Sequence, residues 1–207
     1  ANDLEEAAEE LVRRSEGLFL YLRFVFAQLE TATTVTLEDV QQYPESISSA
    51  FEENFERLYA SMEGKYASFI EPIAVARKPL PCEVLMRILR MSKREFQLTL
   101  NKCRLLLVVS DQKLQFIHKR MHDWLTGDTP GTALAMGRGD DLGVDEENGH
   151  RLLADFCLEN KAHAFALEHG VYHLTKAGEQ QVAKEWVWDM PHTIDRISKA
   201  PGGPVMG

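Results

Sequence analysis

Residues 105–125 read Leu-Leu-Leu-Val-Val-Ser-Asp-Gln-Lys-Leu-Gln-Phe-Ile-His-Lys-Arg-Met-His-Asp-Trp-Leu. Leu105 to Val109 is a run of leucine and valine, Asp111-Gln112 is polar, and Leu114 to Ile117 is a second short run. Strand formers on both sides of a turn at Asp111-Gln112 predict a β-hairpin, with strands over 105–109 and 114–117. A helix is expected next, over 119–125. Working outward, Ser92 and Glu95 have the spacing of a capping box, so a helix should start there and run to about Lys102. Cys82 to Arg90 reads as a helix, Lys78-Pro79-Leu80-Pro81 as a turn, and Lys65 to Ala76 as a helix whose Tyr66, Phe69, Ile70, Ile73 and Ala74 face inward. Helix, helix, helix, hairpin is the winged-helix order, so residues 63–125 are expected to form a winged-helix domain.

The residues before it read as a helical subdomain over 1–62. Leu4, Ala7, Ala8, Leu11 and Val12 recur at helical spacing and predict an acidic amphipathic helix over 3–14. Gly17 breaks it. Leu18 to Leu29 is too short to span a bilayer and carries Arg23 and Gln28, so it reads as a buried helix. Thr36 is an expected N-cap, with Glu38 and Asp39 in the first turn, and that short helix should stop at Tyr43-Pro44. A longer helix over 47–62 sets Ile47, Phe51, Phe55, Leu58 and Tyr59 on one face.

Beyond the hairpin, Gly127, Pro130, Gly131, Gly137 and Gly139 mark 126–143 as a flexible linker. Helices over 146–160, 162–176 and 179–190 form an expected repeat-like region over 144–190, followed by a tail over 191–207. The fold class is therefore mainly α: a helical bundle, a winged-helix domain with a small β-hairpin, then repeat-like helical hairpins. Trp124, Trp186 and Trp188 read as packing residues.

Composition is that of a globular chain: of 207 residues, 44% are hydrophobic and 27% charged. The chain opens at Ala1 without a signal peptide and reads as a piece of a longer protein. Cys82, Cys103 and Cys157 are odd in number, far apart and in apolar contexts. Buried free thiols in a reducing, cytoplasmic setting are expected rather than disulfides or zinc. The net charge of −9 is unevenly spread: residues 1–60 carry 4 basic and 13 acidic side chains, and residues 61–130 carry 12 basic and 7 acidic. An acidic whole argues against nonspecific nucleic-acid binding, and the basic middle keeps the question open.

Several motifs, in unbroken order over about 9–178, resemble the NACHT-type STAND signalling NTPases. Ser15-Glu16-Gly17-Leu18-Phe19-Leu20-Tyr21 is similar to the segment that closes the family's helical part. Pro44-Glu45-Ser46-Ile47 through Phe51, Phe55, Arg57 and Leu58 resembles the helix that follows, and Ala76-Arg77-Lys78-Pro79-Leu80 the turn inside the winged helix. Phe116-Ile117-His118-Lys119 through His122-Asp123-Trp124-Leu125 resembles the segment after the wing. Gly149-His150, Tyr172-His173-Leu174 and Ala177-Gly178 resemble the helical stretch beyond it. The resemblance implies a regulatory switch segment in which His118 senses the β-phosphate of ADP, with adenine-side contacts at Leu18 and Phe19. It also implies an upstream NTPase core and a downstream repeat region as partners, and oligomerisation on activation. Related NB-ARC proteins carry Gly-Leu-Pro-Leu at the first motif, and Phe19 stands where that proline would be. Arg120-Met121 replaces the usual Ser-Phe pair.

No Gly-x-x-x-x-Gly-Lys-Ser/Thr occurs in the sequence. Without that loop no backbone nest cradles phosphates, so the chain is not expected to be an enzyme; ADP or ATP would belong to the parent protein, with no cofactor in this chain alone. The i, i+4 pairs His118/His122 and His169/His173 have zinc-compatible spacing, but Lys119 stands where a zinc protease needs glutamate and no third ligand follows, so no metal is expected. Arg87, Arg90, Lys93, Arg94, Lys102 and Arg104 form an expected basic face. Two uses compete for it: docking on an acidic protein surface, and DNA binding through the third helix. Phe96, Leu98 and Leu100 leave few polar positions to read base edges, which favours docking. A free-standing winged-helix adaptor is the alternative to the switch.

Overall fold

The computed structural model describes residues 2–29, 37–62, 64–127 and 142–199. Among them are α1 (Asn2–Ser15), α2 (Phe19–Leu29), α3 (Leu37–Gln41), α4 (Ile47–Ser61), α5 (Tyr66–Val75), β1 (Leu80–Pro81), α6 (Cys82–Ile88), α7 (Lys93–Lys102), β2 (Leu107–Ser110), β3 (Lys113–Phe116), α8 (Lys119–Thr126), α9 (Glu146–Glu159), α10 (Ala164–Lys176) and α11 (Gln180–Lys199). The protein is mainly helical, with one small antiparallel sheet of order β1-β3-β2. No described helix is long and apolar enough to cross a membrane. The expected linker lies almost wholly outside the described residues, as do the Thr36 cap and the tail beyond Lys199.

The chain divides into two units that are discontinuous in sequence. One comprises 1–64, 99–108 and 116–143; the other comprises 65–98, 109–115 and 144–207. The sequence reading places consecutive boundaries at 62/63, 125/126 and 143/144 instead. The observed division cuts through α7 and through the hairpin, and gathers 144–207 with 65–98.

In the first unit the core is aromatic. Trp124 of α8 stacks on Phe55 of α4, with ring centroids 5.4 Å apart, and meets Phe51 edge-on at 6.1 Å. Phe51 in turn meets Phe24 of α2. The buried Arg14 donates to the carbonyls of Val40 and Tyr43, satisfying the end of the five-residue α3, while Tyr21 Oη donates to Pro44 O at 2.6 Å. Glu10 balances Arg14 and Arg13, and those two bonds hold its carboxyl down at about 2.

The expected helix forms over α1, but its apolar stripe is split: Ala7 is buried, while Leu4 and Val12 are 66% and 65% exposed. Likewise, α2 is not a wholly buried helix. Leu20, Tyr21, Phe24 and Val25 are buried, while Phe19 is 87% and Phe26 54% exposed. Apolar periodicity locates a helix but does not say which of two apolar faces finds a neighbour. Tyr59, grouped with Phe51 and Phe55 on one face of α4, is exposed whereas those two are buried.

In the second unit the five inward residues expected of α5 are buried, and Glu71, Pro72 and Val75 are buried with them. The capping box forms: Glu95 N–H donates to Ser92 Oγ, and Ser92 N–H donates to Glu95 Oε2 at 2.8 Å. The hairpin turns at Asp111 and Gln112, whose φ angles of 51° and 59° belong to the two-residue turn that matches strand twist. Leu80-Pro81, read as a turn, instead pairs antiparallel with Leu114 and Lys113. An edge strand has no bond for a proline N–H to make, so Pro81 is tolerated there. The strands of the hairpin sit at 107–110 and 113–116 rather than 105–109 and 114–117.

The last helix also departs from expectation. It continues to Lys199 instead of stopping before Pro191. A proline deletes one helical bond and strains one turn, a local cost that a long helix absorbs, and α5 likewise contains Pro72. Trp186 is buried, whereas Trp188 is 81% exposed and is not a packing residue.

Packing of α9 on α5 depends on Gly149. A Cβ there would lie 2.8 Å from the carbonyl oxygen of Glu71 and 3.0 Å from its carbon. Those are backbone atoms inside a buried helix and cannot swing away. Gly149→Ala is therefore expected to destabilise the chain by about 1–3 kcal/mol, the usual cost of overpacking. Urea melts of the variant against wild type check this, and an unchanged midpoint would show that α9 slides freely over α5.

Candidate functional site

In the first unit the candidate site is the start of α8. His118 is its N-cap, with extended backbone, and His118 Nδ1 accepts the Arg120 N–H at 3.1 Å. That bond fixes the tautomer: Nδ1 is the acceptor, so the neutral ring carries its proton on Nε2. His118 is exposed, and Nε2 is the atom left to donate outward. No acidic residue occupies the first turn of α8, where backbone N–H groups favour an anion.

The neighbouring charges are partly used within the unit. Lys119 Nζ lies 2.6 and 2.7 Å from the two oxygens of Asp123, and that bond is the main cause holding the Asp123 carboxyl below its ordinary range. Arg120 faces Glu16 at 4.0 Å. Arg120, Asp123, Glu16, Ser48 and Phe51 line a cavity of about 320 Å³. Leu18 is half-buried and Phe19 opens α2, after a turn in which Glu16 and Gly17 both have positive φ.

The expected basic face is shared between the units. Lys102 and Arg104 belong to the first, where Lys102 Nζ donates to Ser61 O and Arg104 O accepts from Arg23. Arg87, Arg90, Lys93 and Arg94 belong to the second and are all exposed. Arg87 donates to Asn160 Oδ1 at 3.0 Å. Phe96 is buried against Phe69, but Leu98 is exposed, so it is not the core residue its apolar character suggests.

The second unit also holds a groove of about 490 Å³ beside α6 and the start of α10. Its lysines Lys78, Lys93 and Lys113 are matched by Glu83, Glu168 and Asp111, with Lys78 paired to Glu168. His163 caps α10 through Nδ1 and sets Nε2 2.7 Å from Glu83 Oε1. It is a second instance of the cap geometry seen at His118, with a carboxylate already in place opposite Nε2.

Two features escape the sequence reading. Glu71, in the middle of the apolar α5, is buried and accepts from Asn148 Nδ2 at 2.6 Å and from the Asp145 N–H. Burial raises its pKa. An acidic residue between Ile70 and Pro72 on an inward face is the signal that marks it. The other feature is a buried cluster of His150, His169 and His173, in which Nδ1 of His150 and Nδ1 of His173 are 2.9 Å apart. One of the two donates and the other accepts, so the two rings cannot both be imidazolium. No group of three or more His, Cys, Asp or Glu among the described residues is placed to hold a metal ion. Cys82, Cys103 and Cys157 are free and buried, and burial pushes the thiols of Cys103 and Cys157 up to about 12.

The chain matches no family model, no curated protein and no solved structure.

Proposed function

We propose that this chain is the regulatory segment of a NACHT-type STAND signalling switch, closing over ADP held by a P-loop core elsewhere in its parent protein and coupling that core to a downstream region. The reading rests on the sequence motifs. The observation that carries it is the His118 cap, which commits Nδ1 to the backbone and leaves Nε2–H to donate to a phosphate at the anion-favouring start of α8. The order α5-β1-α6-α7-β2-β3, with sheet order β1-β3-β2, supports reading this region as a winged helix. On this reading Arg87, Arg90, Lys93 and Arg94 dock on acidic protein surfaces, and the reduced thiols suit a cytoplasmic protein. A second reading, a free-standing winged-helix adaptor that binds protein or DNA, is favoured by the exposure of those same four cations.

His118→Asn separates capping from sensing. Asparagine keeps an N-cap acceptor but lacks the outward Nε2 donor. In the P-loop-bearing parent, His118→Asn is expected to preserve the melting temperature and speed ADP release roughly ten- to a hundredfold, the equivalent of one charge-assisted bond of about 1.5–3 kcal/mol. His118→Ala should lose the cap as well, at about 1 kcal/mol of stability. An unchanged ADP off-rate in His118→Asn, with a lowered melting temperature in His118→Ala, would make His118 a structural cap alone. Salt-sensitive micromolar binding of the chain to duplex DNA would instead promote the adaptor.

A further inference from the structure

The first unit leaves two apolar helix faces open, and they complement each other. On α2, Phe19, Leu22, Phe26 and Ala27 line a shallow groove of about 470 Å³ edged by Arg23 and Arg104. These α2 positions follow i, i+3, i+7 and i+8, one face of a helix. On α1, Leu4, Ala8 and Val12 form an exposed stripe at i, i+4 and i+8, flanked by the exposed Glu5 and Glu9. Neither face is explained by the core of the unit, which uses Ala7, Tyr21, Phe24 and Val25 instead.

The geometry points to self-association in which the α1 stripe of one copy lies in the α2 groove of another. The lengths agree: Leu4 to Val12 spans about 12 Å of helix and Phe19 to Phe26 about 10 Å. The charges agree as well, because the stripe's flanking residues are glutamates and the groove's rims are arginines, so the contact brings opposite signs together as the apolar faces close. A second copy is the occupant because the chain itself carries the acidic amphipathic helix that the groove fits. The contact uses different surfaces on the two copies, so it is heterologous, and each copy offers one donor face and one acceptor face.

Sedimentation velocity on the whole chain tests this over a concentration series from about 1 to about 200 µM, the range of a weak apolar contact. Wild type is expected to associate, and less so at high salt as the charge pairs are screened. Phe19→Asp removes the groove, and Leu4→Asp with Val12→Asp removes the stripe. All three side chains are exposed, so circular dichroism should match wild type. Each variant alone is expected to be monomeric, or at least tenfold weaker in association. Mixed together, they should form a heterodimer and nothing larger, because the Phe19→Asp copy keeps its stripe and the other keeps its groove. A monomeric wild type over the whole series overturns the proposal. So does association that survives Phe19→Asp, or two monomeric variants that fail to pair when mixed.

Discussion

Lowering the pH from about 7.5 to about 5 is expected to destabilise the second unit by about 2 kcal/mol through His173, with its two buried neighbours acting in the same direction. His173 is fully buried, and burial, followed by the nearby His150, His169 and Arg77, holds its pKa down at about 3. Burial likewise lowers His150 and His169, with Lys176 adding to the effect on the first and Lys78 and Arg77 on the second, while Glu168 pulls His169 back up. In the unfolded chain each ring titrates near about 6.5. Below that value the unfolded state takes up protons that the folded state refuses. Stability is therefore fully present above about pH 6.5 and falls as the pH drops toward the folded value of about 3. Across that window His173 alone contributes a slope of about 1.4 kcal/mol per pH unit, and the other two steepen it. Glu71 opposes the trend. Its raised pKa favours the folded state below the ordinary carboxylate range, and that contribution is lost as the pH rises through its folded value.

Urea melts at about pH 7.5, 6.5 and 5.5 read the slope, and hydrogen exchange should place the loss in the amides of α9 and α10. His173→Leu removes the most strongly shifted ring together with its buried Nε2, which has no hydrogen-bond partner among the described residues. The variant's slope between about pH 6.5 and 5.5 should be shallower than that of wild type by about 1 kcal/mol per unit. A flat wild-type profile would mean that the histidines are hydrated and the cluster is looser than its geometry states.

Trp124→Ala is expected to cost the first unit about 3–5 kcal/mol. The indole is 2% exposed, stacks on Phe55 at 5.4 Å and meets Phe51 edge-on. Truncation leaves a void between α4 and α8 that the rigid phenylalanine rings cannot refill. Trp124→Phe separates volume from polarity. Trp124 Nε1 is buried with no hydrogen-bond partner among the described residues, so phenylalanine removes an unsatisfied donor at the same time as some apolar area. That variant should stay within about 1.5 kcal/mol of wild type. Denaturant midpoints decide the matter. If Trp124→Phe falls as far as Trp124→Ala, the indole N–H has a partner in solution, and its role is a hydrogen bond rather than packing.

Local chemistry made much of the fold legible from the sequence. The capping box at Ser92 and Glu95, the turn at Asp111-Gln112 and the inward face of α5 follow from side chains within a few residues of one another, where propensity and periodicity act. His118 stood out by sequence motif, but its bond to the Arg120 N–H, which fixes which nitrogen can donate, depended on backbone geometry.

What required the tertiary structure involves partners distant in sequence. The sequence shows apolar stripes on α1 and α2 but cannot say which meets a neighbour, because burial depends on what packs opposite. Leu80-Pro81 reads as a turn until Leu114 arrives beside it, since a strand of two residues is defined by its pairing alone. Gly149 reads as a weak helix residue until the carbonyl of Glu71 is found where its side chain would be. His150 and His173 are 23 residues apart, and only the packing of α9 on α10 brings their Nδ1 atoms to 2.9 Å and makes their charge costly. The sequence determined most of the helices and the capping box at Ser92 and Glu95. Tertiary packing decided which faces are buried and which rings can hold a proton, because both depend on the dielectric and the neighbours that folding supplies.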